Sequence, residues 1–128
     1  MKQERKPVAK ILIVDDDRAT STLLRTLFEI EGFVGVVCPK PDDVLNTVRR
    51  EKPDVVLMDV HLAEGDSLHI LQAMRGDREL QAVPVVMTSG LDVREKCEAS
   101  GASAFMQKPF KPVELVALVR QQLPPAKL

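Results

Sequence analysis

The chain has no tryptophan and no tyrosine, and its four aromatic residues are all phenylalanine: Phe28, Phe33, Phe105 and Phe110. A surface that stacks single-stranded bases on interleaved aromatics is thereby excluded. Neither sign of charge dominates, with 18 Lys and Arg against 19 Asp and Glu. No basic stripe marks a nucleic-acid partner. No apolar run approaches the ~20 residues of a membrane span, so no membrane contact is expected. Only two cysteines occur, Cys38 and Cys97, far apart and without a CxxC pair. They are expected as small core or surface residues, and unpaired thiols point to a reducing, cytoplasmic setting. The basic start and apolar stretch of MKQERKPVAKILIVDDD are cut by three aspartates, which is not a signal peptide.

What remains is 128 residues, 45% of them apolar and 29% charged. That is enough for one globular domain whose core needs neither disulfide nor metal. The domain is expected over residues 9–123, with short polar tails at 1–8 and 124–128, and Pro124-Pro125 reads as a linker start. Inside it two patterns alternate. Ile11–Val14, Phe33–Val37, Val55–Met58, Val83–Met87 and the weaker Ala102–Met106 are short apolar runs, mostly unbroken. Strands buried on both faces of a parallel sheet read this way.

Helical segments lie between them. The first covers about Arg18 to Glu31, with Leu23, Leu24, Leu27 and Ile30 on one face and Gly32 as a stop. The second opens at Pro41 with Asp42 and Asp43 behind it, a composition that suits a helix N-terminus, and ends before Pro53. Its Arg49-Arg50-Glu51-Lys52 end suits the negative pole of a helix. The third starts near Asp66 and carries Leu68, Leu71 and Met74. The fourth runs from Asp92 to about Ser100, with Asp92 and Glu95 spaced as a capping box and Gly101 as terminator. The fifth runs from Pro112 to before Pro124. Five strands alternating with five helices predict a doubly wound α/β fold, and right-handed crossovers put helices on both faces.

Polar residues follow the strands: Asp15-Asp16-Asp17 after the first, Asp59 after the third, Thr88-Ser89 after the fourth and Lys108-Pro109 after the fifth. In a parallel sheet these ends share one edge, where ligands of open α/β sheets bind. Carboxylates gathered there repel one another, and a hard divalent cation relieves the repulsion. Oxygen ligands without Cys or paired His favour magnesium. A lysine and a hydroxyl beside it suit a phosphoryl group, and one carboxylate is left to accept it as a nucleophile. Asp17 reads as a helix N-cap or a solvated acid. His61 and His69 read as exposed residues, with no side-chain metal ligation expected. Ser67 with His69 lacks the setting of a hydrolase nucleophile.

With Ile13-Val14-Asp15-Asp16-Asp17, Val56-Leu57-Met58-Asp59, Val86-Met87-Thr88-Ser89 and Met106-Gln107-Lys108-Pro109-Phe110 in this order, the chain resembles the response-regulator receiver domains of two-component signalling. The resemblance spans roughly Ala9 to Leu123. It implies a (βα)5 flavodoxin-like fold with strand order 2-1-3-4-5. It implies Asp59 as phospho-acceptor, Asp15 and Asp16 as the magnesium-binding pair, and Asp59 and the His61 backbone carbonyl as further ligands, with Mn2+ as a substitute ion. Thr88 and Lys108 would reach the phosphoryl group, Phe105 would be the switch aromatic, and Lys108-Pro109 a cis step. A sensor histidine kinase or phosphotransfer protein would supply the group. A downstream protein or an attached output domain would read the surface of helix four, strand five and helix five, through which two copies could also pair. Such a domain modifies itself and is not a turnover enzyme.

Three residues depart from the family pattern. Ala63 and Ser67 stand where proline and glycine are frequent, which implies a looser loop with Gly65 to supply the turn. Phe105 replaces tyrosine. Two other readings compete. A haloacid-dehalogenase-type phosphatase would use Asp15 and Asp17 as its paired acids, but Ala19 stands where it needs Thr or Val. A receiver-like docking module that takes no phosphoryl group conflicts with the intact acids, Thr88 and Lys108.

Overall fold

The computed structural model describes residues 8–38, 40, 43–62 and 65–127. The expected helix start at Pro41 and Asp42, the Ala63 departure and most of the amino-terminal tail lie outside them. A five-stranded parallel sheet forms the centre, from β1 (Lys10–Val14), β2 (Val34–Val37), β3 (Val55–Asp59), β6 (Val85–Ser89) and β7 (Ala104–Gln107). The spatial order is β2-β1-β3-β6-β7. In units of sheet strands alone this is 2-1-3-4-5, so the order implied by the resemblance is the one found. The two strands absent from that count are β4 (His61–Leu62) and β5 (Gly65–Asp66), a small antiparallel hairpin directly after β3.

Successive side chains of a strand point to opposite faces, and two cores result. Leu12, Val14, Val56, Met58, Val85, Met87 and Phe105 pack on one face. There they meet α2 (Val44–Glu51), α3 (Leu68–Arg75) and α4 (Arg94–Ala99) through Val48, Leu71, Met74 and Cys97. Ile11, Ile13, Val55, Leu57 and Val86 pack on the other face. They meet α1 (Arg18–Ile30) and α5 (Pro112–Gln121) through Leu24, Phe28, Leu115, Val116 and Val119. Removing a buried leucine side chain from either layer would cost about 2–5 kcal/mol. A short 3-10 turn, Pro125–Lys127, follows α5.

Several local expectations need correction. The buried face of α1 is Ser21, Leu24 and Phe28. Leu23 and Ile30 are 70% and 77% exposed, so they do not belong to the core stripe. Helix α4 begins at Arg94, and its N-cap is Val93 without a side-chain bond. The capping box of Asp92 and Glu95 is therefore not formed. The fourth sheet strand starts after Pro84, which cannot donate to the ladder. Gly101, with φ of +107°, ends the α4 segment as expected. Both cysteines are buried and unpaired. Burial is the first cause that pushes their thiols above the ordinary value.

Candidate functional site

Parallel pairing brings the polar strand ends together. Asp59 lies in register with Thr88 on the next strand, and the Val60 amide donates to the Thr88 carbonyl at 2.8 Å. The Lys108 amide donates to the Ser89 carbonyl at 2.7 Å, which seats the lysine beside the same edge. Its Nζ donates to Asp59 Oδ2 at 3.2 Å and to Asp15 Oδ2 at 3.4 Å. Residues from β1, β3, β6 and the end of β7 thus converge, as the sequence reading requires. The Lys108–Pro109 peptide is cis.

Electrostatics explain the arrangement. One ammonium is shared by two carboxylates, whose side chains are only 7% and 15% exposed for Asp15 and Asp59. Burial by itself pulls the Lys108 ammonium down. The negative charges of Asp59 and then Asp15, with their hydrogen bonds, outweigh it, and the lysine sits above its ordinary value. Asp15 Oδ1 also accepts the Asp17 amide at 2.9 Å. Asp59 Oδ1 faces the His61 amide at 3.4 Å. Thr88 is buried, Asp16 is exposed, and the side chains of His61 and His69 are exposed.

Asp17 does not aim into the cleft. Its Oδ1 accepts the Ala19 amide and its Oδ2 the Thr20 hydroxyl at 2.6 Å, so it caps α1. The Thr20 bond is the main reason its carboxyl lies below the usual range. The paired acids of a phosphatase are therefore not both available.

Ser67 is the residue whose role the sequence reading missed. It is fully buried, its hydroxyl donates to the Asp59 carbonyl at 2.7 Å, and its amide donates to the Val60 carbonyl. Ser67 is thus tied to Asp59 and Val60, and Gly65 stands at φ of +126° in the hairpin. Ser21 acts in the same way on the first acidic loop, its hydroxyl donating to the Asp15 carbonyl at 3.0 Å. No local sequence signal marks either hydroxyl; they lie eight and six residues after the acids whose carbonyls they bond. Phe105 is buried on β7 beside Met87, with the Arg94 guanidinium 5.5 Å above its ring.

Among the described residues no three His, Cys, Asp or Glu side chains form a ready metal cluster. The donor set is carboxylate and carbonyl oxygen, which suits a hard cation. The acids present fit a magnesium ion in kind, with Lys108 now bridging two of them.

The chain matches the family model of the response regulator receiver domain over residues 11–120. It is a receiver domain. The receiver is 38% identical over 118 residues to the DNA-binding response regulator MtrA of Mycolicibacterium paratuberculosis, a match that takes in 89% of this chain and 51% of that protein. The chain therefore spans about half the length of the MtrA relatives it matches. Among solved structures it is similar to the BeF3-activated N-terminal receiver domain of Klebsiella pneumoniae RstA, with 30% identity and a TM-score of 0.80. That match covers 88% of this chain and 97% of the other. The receiver domain of the Francisella response regulator 1452 is 26% identical with a TM-score of 0.81, over 89% and 95% of the two chains. The receiver has the phospho-accepting role of two-component signalling, in which the domain modifies itself and does not turn over a separate substrate. No described helix is long and apolar enough to cross a membrane.

Proposed function

We propose that Asp59 accepts the phosphoryl group. The observation that carries this is the Lys108 ammonium held between Asp59 and Asp15, with Thr88 in register beside the acceptor. Asp59 Oδ attacks phosphorus, and the bond to the donor's leaving atom breaks with its electron pair. Lys108 then exchanges a carboxylate partner for phosphoryl oxygens, and the Thr88 hydroxyl donates to another of them. Asp15, Asp16 and the His61 backbone carbonyl would hold Mg2+, or Mn2+ in its place. The ion's chemistry is to offset negative charge on the incoming oxygens.

The donor partner is a sensor histidine kinase or a phosphotransfer protein. Thr88 and Phe105 relay the new charge to α4, β7 and α5, the surface offered to a downstream protein, an attached output domain or a second copy. The domain carrying this chemistry spans residues 9–123.

The decisive experiment is labelling by phosphoramidate with Mg2+. Asp59→Asn is expected to lose the label by at least about 100-fold, the scale set by removing a nucleophile. Equal labelling of the variant would overturn the assignment. In the same assay Asp16→Ala removes the Mg2+ dependence, and labelling that still requires Mg2+ to the same degree would overturn the metal role.

A further inference from the structure

The flank of α1 that faces the sheet is made of Ser21, Leu24 and Phe28. Two of these are large and apolar, and the third is a serine only 3% exposed. A hydroxyl buried there costs free energy unless it finds a partner. A serine inside a helix ordinarily turns back to a carbonyl three or four residues earlier, here that of Arg18 or Asp17. The Ser21 amide does take the Asp17 carbonyl, at 2.9 Å. Its hydroxyl reaches past the start of the helix and donates to the Asp15 carbonyl at 3.0 Å, six residues back.

That carbonyl belongs to the peptide joining Asp15 to Asp16. A peptide is planar, so a bond to its oxygen fixes the whole plane and the direction in which the chain enters Asp16. The Asp15 side chain has anchors of its own. Its Oδ1 accepts the Asp17 amide at 2.9 Å, and its Oδ2 accepts from the Lys108 ammonium at 3.4 Å. Asp16 is exposed at the surface, and the bond from Ser21 sets the backbone from which its side chain leaves. Ser67 holds the Asp59 carbonyl in the same manner from the N-cap of α3. Helices α1 and α3 lie on opposite faces of the sheet. Each of the two acids that share Lys108 therefore has its carbonyl held by a buried serine, one from either side.

We propose that Ser21 is a positioning residue for the divalent cation: it sets the peptide between Asp15 and Asp16 in the metal-free protein, so that Asp16 joins Asp15 as a ligand with little reorientation. This rests on the reading of Asp15 and Asp16 as the metal-binding pair. Ligands whose supporting hydrogen bonds are already made lose less freedom on binding, and partners behind a ligand tune affinity for that reason. Alanine at position 21 suits the helix at least as well as serine. It would leave the Asp15 carbonyl without its donor and the Asp15–Asp16 peptide free to rotate, and binding would then have to order it.

The test titrates the whole chain with Mn2+ in the absence of any phosphodonor, follows the free ion by electron paramagnetic resonance, and then displaces it with Mg2+. Ser21→Ala is expected to weaken binding of both ions about fivefold to tenfold, the scale of one lost hydrogen bond behind a metal ligand. Ser21→Thr keeps the hydroxyl and should stay within about twofold of the unmodified chain. In an Asp16→Asn background Ser21→Ala should add less than about twofold, because the two positions act through one another. In phosphoramidate labelling the Mg2+ concentration for half the maximal rate should rise by the same factor as the dissociation constant, while the rate at saturating Mg2+ falls less than about twofold. Unchanged ion affinity in folded Ser21→Ala overturns the proposal. So does an equal loss in the Ala and Thr variants, or a full loss retained in the Asp16→Asn background, either of which would make Ser21 a part of the fold alone. Failure of the unmodified chain to bind either ion overturns the metal-pair reading and the role of Ser21 together, whereas normal binding that Ser21→Ala leaves unchanged overturns the role of Ser21 alone.

Discussion

The two ends of the sheet use the same residue types to opposite effect. At the amino end the cations and anions pair individually. Lys10 bonds to Glu51 at 3.2 Å, Lys127 to Asp54 at 2.7 Å, and Arg49 to Asp77. Arg75 there answers three carbonyls, those of Gly101, Gln81 and Val83, as well as the Ser103 hydroxyl. At the carboxyl end one lysine serves two largely buried carboxylates, and Asp16 stands exposed beside them. The first end is satisfied and only holds the fold together. The second shares one ammonium between two acids, and a bound cation would offset the negative charge that an incoming phosphoryl group adds there. The candidate site sits where one lysine is shared between two acids.

The sharpest way to break this contrast is at Arg75. Arg75→Ala should cost about 2–3 kcal/mol, because several carbonyls lose a charged donor at once. Phosphoramidate labelling of the folded variant should be unaltered. Chemical denaturation with a labelling assay below the midpoint checks both, and a labelling defect in fully folded protein would mean the two ends are coupled. Ser67→Ala is the counterpart at the site. It should cost about 1 kcal/mol by leaving the Asp59 carbonyl without its buried donor. It should also slow labelling, since the acceptor loses its tether. Unchanged melting and unchanged labelling would show that the hairpin alone positions Asp59.

The smallest effect expected is alkaline. Lys108 is raised above its ordinary value of 10.5 by its two acids. A lysine whose folded value is raised contributes its full stabilisation below the unfolded value, and loses it as pH rises through the folded one. The melting temperature of the native protein should therefore approach that of Lys108→Met only above the ordinary lysine value. Convergence at neutral pH would show that the ammonium is not held by the pair.

Much of this was legible in the sequence. The unbroken apolar runs announced strands buried twice over, and Asp59, Thr88 and Lys108 each followed such a run. Parallel pairing did the rest, because it lines up strand ends whatever the distance between them along the chain. Asp17 as a cap was legible from its type and place. What escaped depended on tertiary detail. Leu23 and Ile30 fit the helical period of α1, yet the sheet accepts only the Leu24 and Phe28 flank. Ser67 looked like a missing glycine, because nothing local says that its hydroxyl would find the Asp59 carbonyl. Asp92 and Glu95 had capping spacing, but α4 starts one residue later than that spacing needs.

The lack of tryptophan and tyrosine also has an optical consequence. The protein is dark at the wavelengths that excite indole, so an indole placed at Phe105 would be its sole emitter. That position is buried between β7 and α4, under a guanidinium 5.5 Å from the ring. Emission from Phe105→Trp would then report one layer of the molecule without background. A movement of α4 against the sheet on loading of the acceptor would register as a change in that emission.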